Sequence, residues 1–596
     1  MRMKRKALAF SIFLPLLLGI LLLIGCRPEL ARSERVTDDW SRGQRLGEAI
    51  INDRVGFVAD RSGQNIYAIW VARRASDSAQ ELRFVHVDRA GRILGERALE
   101  IAVNKPGQVE IVLDGDDHLH LAWVDDVGEG RRLFYAMLDS TGGLLSERKP
   151  LSLPQAEVDS YAMGLGPSGN VDLFWSARGE KEAGLYHTRV GANGERLAEN
   201  VLLQGSGFDP TFRIDRQGLF HLAWYEEPDY GRYALLYATF DAENRQLGPV
   251  TKLVEFSASA GVIGHHPRMG LAGDDVYLFW SSERRGGGIK EPAAQSFYLT
   301  FPLGRPELAG EQKEVQIPDL NHPRYQETKG SFNLHEMASD IQDHWPSEIV
   351  YFAATPKGHH DELPVAFSVR ISGRTKQINQ IILTVWSDGE LKGYQIAAKT
   401  STSSLRPVLL VDAEKDLHMV WIDTGGFGIY DLFYASTSQE ARGYLNRLTG
   451  QDILAKGFNT IWGMVQAAGF VFVALIWVFP PLVLLAAYAL ARADDDLSHR
   501  GPRIVLILAI ILYSMFKYLF EPGWLAALRL PHQWPADVVT VIMITLPFLI
   551  SLLAGVVAWA FSRRRDYNSL FGVFGIFVGT DALLTLMIYV PGLLAE

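Results

Sequence analysis

The stretch His118-Leu119-His120-Leu121-Ala122-Trp123 decides the fold, because it recurs. It returns as His221-Leu222-Ala223-Trp224 and as His418-Met419-Val420-Trp421. Looser copies stand at Tyr67-Ala68-Ile69-Trp70, Asp172-Leu173-Phe174-Trp175 and Tyr277-Leu278-Phe279-Trp280. Through the first five copies the tryptophans fall roughly fifty residues apart, a period expected of propeller blades and other stacked arrays. A short alternating segment and an Asp/Gly turn precede each full copy, at 109–116, 210–218 and 407–412. A third segment follows (133–136, 236–238, 432–435), and turns such as Asp139-Ser140-Thr141-Gly142 lead to a fourth. Four antiparallel strands per unit at this period predict an all-β propeller.

Six blades carry the tryptophan. A seventh fits the gap between Trp280 and Trp421, with 349–352 as its tryptophan strand and 381–386 as its third. Seven is the expected count, six or eight being the alternatives. Residues 305–347 read as an irregular insertion, either a lid over the central channel or a disordered loop. The last blade has no fourth strand of its own before Gly443. Residues 34–46 are expected to supply it, closing the ring and removing its exposed edge.

The ends differ from the middle. Arg2, Lys4, Arg5 and Lys6 precede an apolar run, 7–24, in the order of an export signal. The run ends in Leu23-Ile24-Gly25-Cys26, which resembles the lipobox of bacterial lipoproteins; that resemblance implies lipidation at Cys26. Cys26 is the one cysteine in 596 residues, so no intramolecular disulfide can form. The alternative is an uncleaved signal anchor. At the other end, four apolar runs (about 462–491, 503–520, 536–561 and 570–594) are each long enough to span a bilayer as a helix, predicting an all-α transmembrane bundle. Pro480-Pro481 is expected to kink or interrupt the first. Arg492, Arg500 and Arg503 follow the first run and Arg563, Arg564 and Arg565 the third, so these loops read as cytoplasmic and the propeller as extracytoplasmic. Lys517 and Asp581 fall inside spans, where they either pair with each other or find separate partners.

The chain therefore divides into a signal peptide or anchor (1–26), a tether holding the ring-closing strand (27–45), the propeller (46–440), a linker (441–461) and the four-helix membrane domain (462–596). A net charge of −10 argues against nucleic acid as a partner. Membrane lipid is the expected partner, with a glycan or an envelope protein as the propeller's ligand.

Trp70, Trp123, Trp175, Trp224, Trp280 and Trp421 are expected to be inter-blade core. His120, His221 and His418 share one repeat position and read as hydrogen-bonded structural groups. Acidic residues just beyond the tryptophans (Asp125, Asp126, Glu226, Glu227, Glu283, Asp423), with Arg284, form a candidate binding rim. His359-His360 and His265-His266 make poor chelates, because neighbours in a strand point to opposite faces. No phosphate loop, nucleophile elbow or complete zincin motif is present, no cofactor is called for, and no catalytic residue can be assigned. The repeat array, over most of residues 50–440, resembles sialidase-like and BNR-type propellers by its blade pattern. Their Ser-x-Asp-x-Gly-x-x-Trp box has no intact copy here. The expectation is a non-catalytic recognition or scaffolding module at the bacterial envelope; the alternative is a surface glycosidase resembling sialidases.

Overall fold

The computed structural model describes residues 32–594 except 34–36, 51–52, 75, 129, 180–181, 258–261, 285–293, 318–346, 348, 373–376, 401, 427–428, 455–456, 458–470, 493, 521–535 and 564–568. Cys26 and the signal segment lie outside the described residues. The chain forms two compact units, one within Ala31–Arg447 and one within Leu448–Glu596.

The first unit is a propeller of seven antiparallel sheets. Blades 1 to 6 occupy 56–98, 107–150, 157–204, 208–257, 262–314 and 350–398. Blade 7 comprises Ser404–Val411, Leu417–Gly426 and Ile429–Ser436, completed by Gln44–Ala49 from the other end of the unit, which pairs with Ile429–Ser436. The closing strand begins at Gln44, so most of the span 34–46 lies before it. Two glycines explain why this segment fits. A Cβ on Gly43 would stand 2.4 Å from the Trp421 ring, and one on Gly47 would stand 2.7 Å from Trp70.

Repetition of the tryptophan has a packing cause. Each of the six indoles is nearly or fully buried, in an apolar cluster shared with the preceding blade: Trp123 with blade 1, Trp175 with blade 2, Trp224 with blade 3. Blade 6 differs from the sequence reading. Val350–Ala354 is its first strand, not its tryptophan strand, and the second strand is Leu363–Ser372 with Phe367 in the core. Trp386, one strand further out, supplies the indole between blades 5 and 6 and packs edge-on to Phe279 at 5.2 Å. The "insertion" also begins later than expected, because Lys313–Glu314 is the outer strand of blade 5.

The shared histidines are structural. His120, His221 and His418 each set Nδ1 against a tyrosine hydroxyl (Tyr135 2.7 Å, Tyr237 2.6 Å, Tyr434 2.9 Å). Each sets Nε2 against an aspartate (Asp114 3.2 Å, Asp215 3.2 Å, Asp412 3.1 Å). That aspartate's other oxygen accepts two backbone N–H groups of the preceding turn. Burial lowers the His120 and His221 pKa values, so the neutral ring donates from Nε2 to the carboxylate and accepts the tyrosine proton at Nδ1. The triad ties the second and third strands to the turn.

A short helix, α1 (Gln439–Leu445), capped by Ser438, ends the propeller unit. The second unit contains α2 (Val471–Arg492), α3 (Arg500–Leu519), α4 (Ala536–Arg563) and α5 (Leu570–Leu594). All four are long and apolar enough to cross a membrane. Pro480 and Pro481 lie inside α2, which continues through them. Phe472, Leu490 and Leu552 are exposed, as on a surface built for lipid rather than water. Asp581 of α5 is fully buried and accepts from Lys517 Nζ (2.6 Å) and Tyr513 OH (2.8 Å) of α3 and from Ser551 Oγ (2.7 Å) of α4. Of the two expectations for Lys517 and Asp581, the geometry is the pair.

Candidate functional site

The first strands of the blades contact one another round the ring and so line a central channel. Six of the seven bulge near their start. In four blades two residues bulge opposite the single repeat tryptophan: Gln108-Val109 opposite Trp123, Asp209-Pro210 opposite Trp224, His266-Pro267 opposite Trp280, and Arg406-Pro407 opposite Trp421. Gln108, Asp209, Phe352 and Arg406 adopt positive φ between 49° and 56°. Left-handed backbone costs a non-glycine residue about 1 kcal/mol or more, and such strain gathers at functional sites. The bulges occur where the first strands begin and the second strands end, so they form one mouth of the channel.

Charge collects at this mouth. An outer cavity of about 40 Å3 is lined by Arg54, His266, Arg268, Trp280, Phe352 and Arg406. An inner chamber of about 110 Å3, using residues further along the same strands, is lined by Arg54, Glu110, Arg213, Arg268, Thr355 and Lys357 among others. Arg54 Nη1 pairs with Glu110 at 3.1 Å and donates to Tyr161 O at 2.7 Å. The remaining cations have no ion-pair partner among the described residues. Arg213 donates only to neutral oxygens of Phe212, Thr355 and Pro356. Lys357 donates to Met163 O at 3.1 Å. Arg406 lies over the Phe352 ring, 4.5 Å from its centroid.

Burial lowers the pKa of Arg213 to about 10. Burial, reinforced by Arg54, Arg213 and Arg406, lowers that of Arg268 to about 9. Both groups stay charged at neutral pH.

His266 is the imidazole at the mouth. Its ring is 27% exposed, and Nδ1 stands 2.5 Å from Asp209 Oδ1, though not aligned as a hydrogen bond. Burial lowers the imidazole pKa, so the ring is neutral near pH 7. Burial alone would raise the Asp209 carboxyl, but His266 and Arg54 hold it below the usual range. Asp159, the bulge residue of blade 3, is raised by burial and by Asp209, although Arg178 Nε lies 3.0 Å away.

The rim expected from sequence divides. Asp125 is buried, accepting from Asn104 N and Lys105 N and facing Arg148 at 3.3 Å, so it staples a loop. Asp423 is buried under Ser404 Oγ (2.6 Å) and Trp421 Nε1 (3.1 Å), and burial lifts its pKa to about 7. Neither can serve as a solvated binding group. Asp126 and Glu227 each cap their own turn, at Gly128 N and Gly231 N. Glu226 accepts from Gln204 and Ser206. Glu283 acts electrostatically on Tyr351, whose pKa burial raises to about 12. The Arg284 side chain lies outside the described residues. His359 and His360 set their Nε2 atoms against backbone carbonyls. Asp114, Asp116 and His118 could group around a cation, but both Asp114 oxygens already serve the turn and its histidines.

Sequence reasoning missed Arg54, Glu110, Asp209, Arg213, His266, Arg268, Lys357 and Arg406 as one site. The available signal was charge in innermost strands, immediately before or shortly after Pro210, Pro267 and Pro407.

No family model and no curated protein matches the chain. Solved propellers do resemble it. A PL25 ulvan lyase aligns at 8% identity and TM-score 0.43, covering 67% of this chain and 95% of its own. The polysaccharide lyase Uly1 aligns at 12% and 0.32, covering 66% and 91%. The Penicillium chrysogenum α-L-arabinanase complexed with arabinobiose aligns at 12% and 0.30, covering 46% and 78%. At such identities the likeness concerns the fold. These neighbours are carbohydrate-active enzymes, and the expectation of a non-catalytic recognition or scaffolding module is corrected on that finding.

Proposed function

We propose that this chain is a membrane-anchored, carbohydrate-active enzyme that cleaves an acidic polysaccharide at the channel mouth. The observation that carries the reading is the set of arginines without ion-pair partners beside the neutral imidazole of His266. Guanidinium groups recognise sugar carboxylates bidentately and are strongest where water is scarce.

Elimination suits this set better than hydrolysis by the common route, which uses two free carboxylates flanking the bond. Arg54 is paired to Glu110 and Arg178 to Asp159, while Asp209 is set against His266. In an elimination Arg268 and Arg406 neutralise the uronate carboxylate and so acidify the adjacent C–H. His266 takes that proton through Nε2. The released electron pair forms the C=C bond and expels the glycosidic oxygen, which takes up a proton from water.

The signal-like N-terminus and the basic loops after the first and third apolar runs support an extracytoplasmic propeller at a bacterial membrane, with Cys26 as the lipidation site. The test is incubation of the detergent-solubilised full chain with acidic and neutral polysaccharides, followed by mass analysis of the products. Unsaturated uronate ends support elimination. Saturated reducing ends move the chemistry to the carboxylates. Intact polymers throughout refute the enzyme.

A further inference from the structure

The inner chamber carries more positive charge than its walls balance. Arg54 and Glu110 neutralise each other, leaving Arg213, Arg268 and Lys357 round a cavity of about 110 Å3 with no carboxylate paired to any of them among the described residues. Arg213 and Lys357 spend their hydrogen bonds on neutral oxygens, and Arg268 donates none to the protein among the described residues. Desolvated charges of one sign are costly unless a counter-charge joins them. Their pKa values, lowered but still above neutral for the two arginines, leave the excess in place at pH 7. The volume exceeds what a single water needs, and three separate donor groups suit a ligand with several oxygens better than a halide.

We propose that this chamber is a binding site for a sulfate- or phosphate-class oxyanion, held by Arg213, Arg268 and Lys357. The site stands on charge and geometry alone and survives if the cleavage reading fails. Its occupant is either a free ion or a sulfate ester carried by a glycan; the chemistry recognised is the same.

Lys357→Met is the informative variant, because the ammonium makes one hydrogen bond whereas Arg213 also secures Thr355 and Pro356. Titration calorimetry of the full chain in detergent with sodium sulfate and sodium phosphate, against a chloride background, should show saturable binding. In K357M that binding should weaken by about ten-fold or more, the loss of one charge-assisted hydrogen bond. In chloride alone, K357M should melt at or above the wild-type temperature, since it relieves repulsion; a purely structural lysine would lower it. A sulfated oligosaccharide that competes with phosphate identifies the ester as occupant, and lack of competition identifies the free ion. No saturable binding of either anion, or equal binding by K357M, overturns the proposal.

Discussion

Replacing Asp423 by Asn should flatten part of the pH dependence of propeller stability. The carboxyl is 3% exposed, and burial raises its pKa from 3.8 to about 7, against the opposing pull of Ser404, Thr400, Trp421 and Thr402. Because the folded value is raised, the unfolded chain loses this proton first as pH rises. Stability therefore falls between about pH 4 and pH 7 and levels off above. A gap of about 3 pH units is worth ~4 kcal/mol. Asn keeps the oxygen that accepts from Ser404 and Trp421, and it cannot ionise. The difference in unfolding free energy, variant minus wild type, should grow by ~3 kcal/mol between about pH 5 and pH 8. Denaturant titrations of the full chain, followed by tryptophan fluorescence, measure it. Parallel curves for the two proteins across that range would refute the reasoning, since the buried carboxyl would then have an ordinary pKa.

Trp421→Ala should cost ~3–5 kcal/mol, because the indole is fully buried between blades 6 and 7 against the closing strand; chemical denaturation checks this. His221→Ala strands the Asp215 oxygen and the Tyr237 hydroxyl and should cost ~2–4 kcal/mol, read by the same assay. Turnover should hold at about pH 6.5, where an ordinary histidine is already half protonated, and should fall to half only at the lowered pKa of His266; a pH–rate profile reports it. Asp581→Asn leaves Lys517 buried without its counter-charge and should lower the yield and melting temperature of the helical unit; unchanged values would mean that the pair contributes nothing.

The blades were legible because their signal is local and repeated: a buried indole roughly every fifty residues through the first five copies, and in four blades an Asp turn (Asp60, Asp114, Asp215, Asp412) that caps itself before the second strand. Blade 6 escaped the pattern because its indole, Trp386, comes from the third strand, so that Phe367 fills the usual place. The closing strand could be anticipated from a missing partner but not placed, since its register depends on Gly43 and Gly47 meeting indoles nearly four hundred residues away or in the next blade. The site was hidden for a related reason. Arg54, Glu110, Arg213, Arg268, Lys357 and Arg406 come from six blades, and only closure of the ring makes them neighbours. Residue type alone misled at the rim, where Asp125 and Asp423 look solvated and are buried.

The central claim is that the mouth recognises and cleaves a polysaccharide through its carboxylates. The direct measurement compares chain scission by the wild-type protein on an acidic polysaccharide and on the same polymer after chemical reduction of its carboxyl groups. Scission of the native polymer, lost on the reduced one and lost again in Arg268→Gln, is the expected result. Equal scission of both polymers would contradict the account.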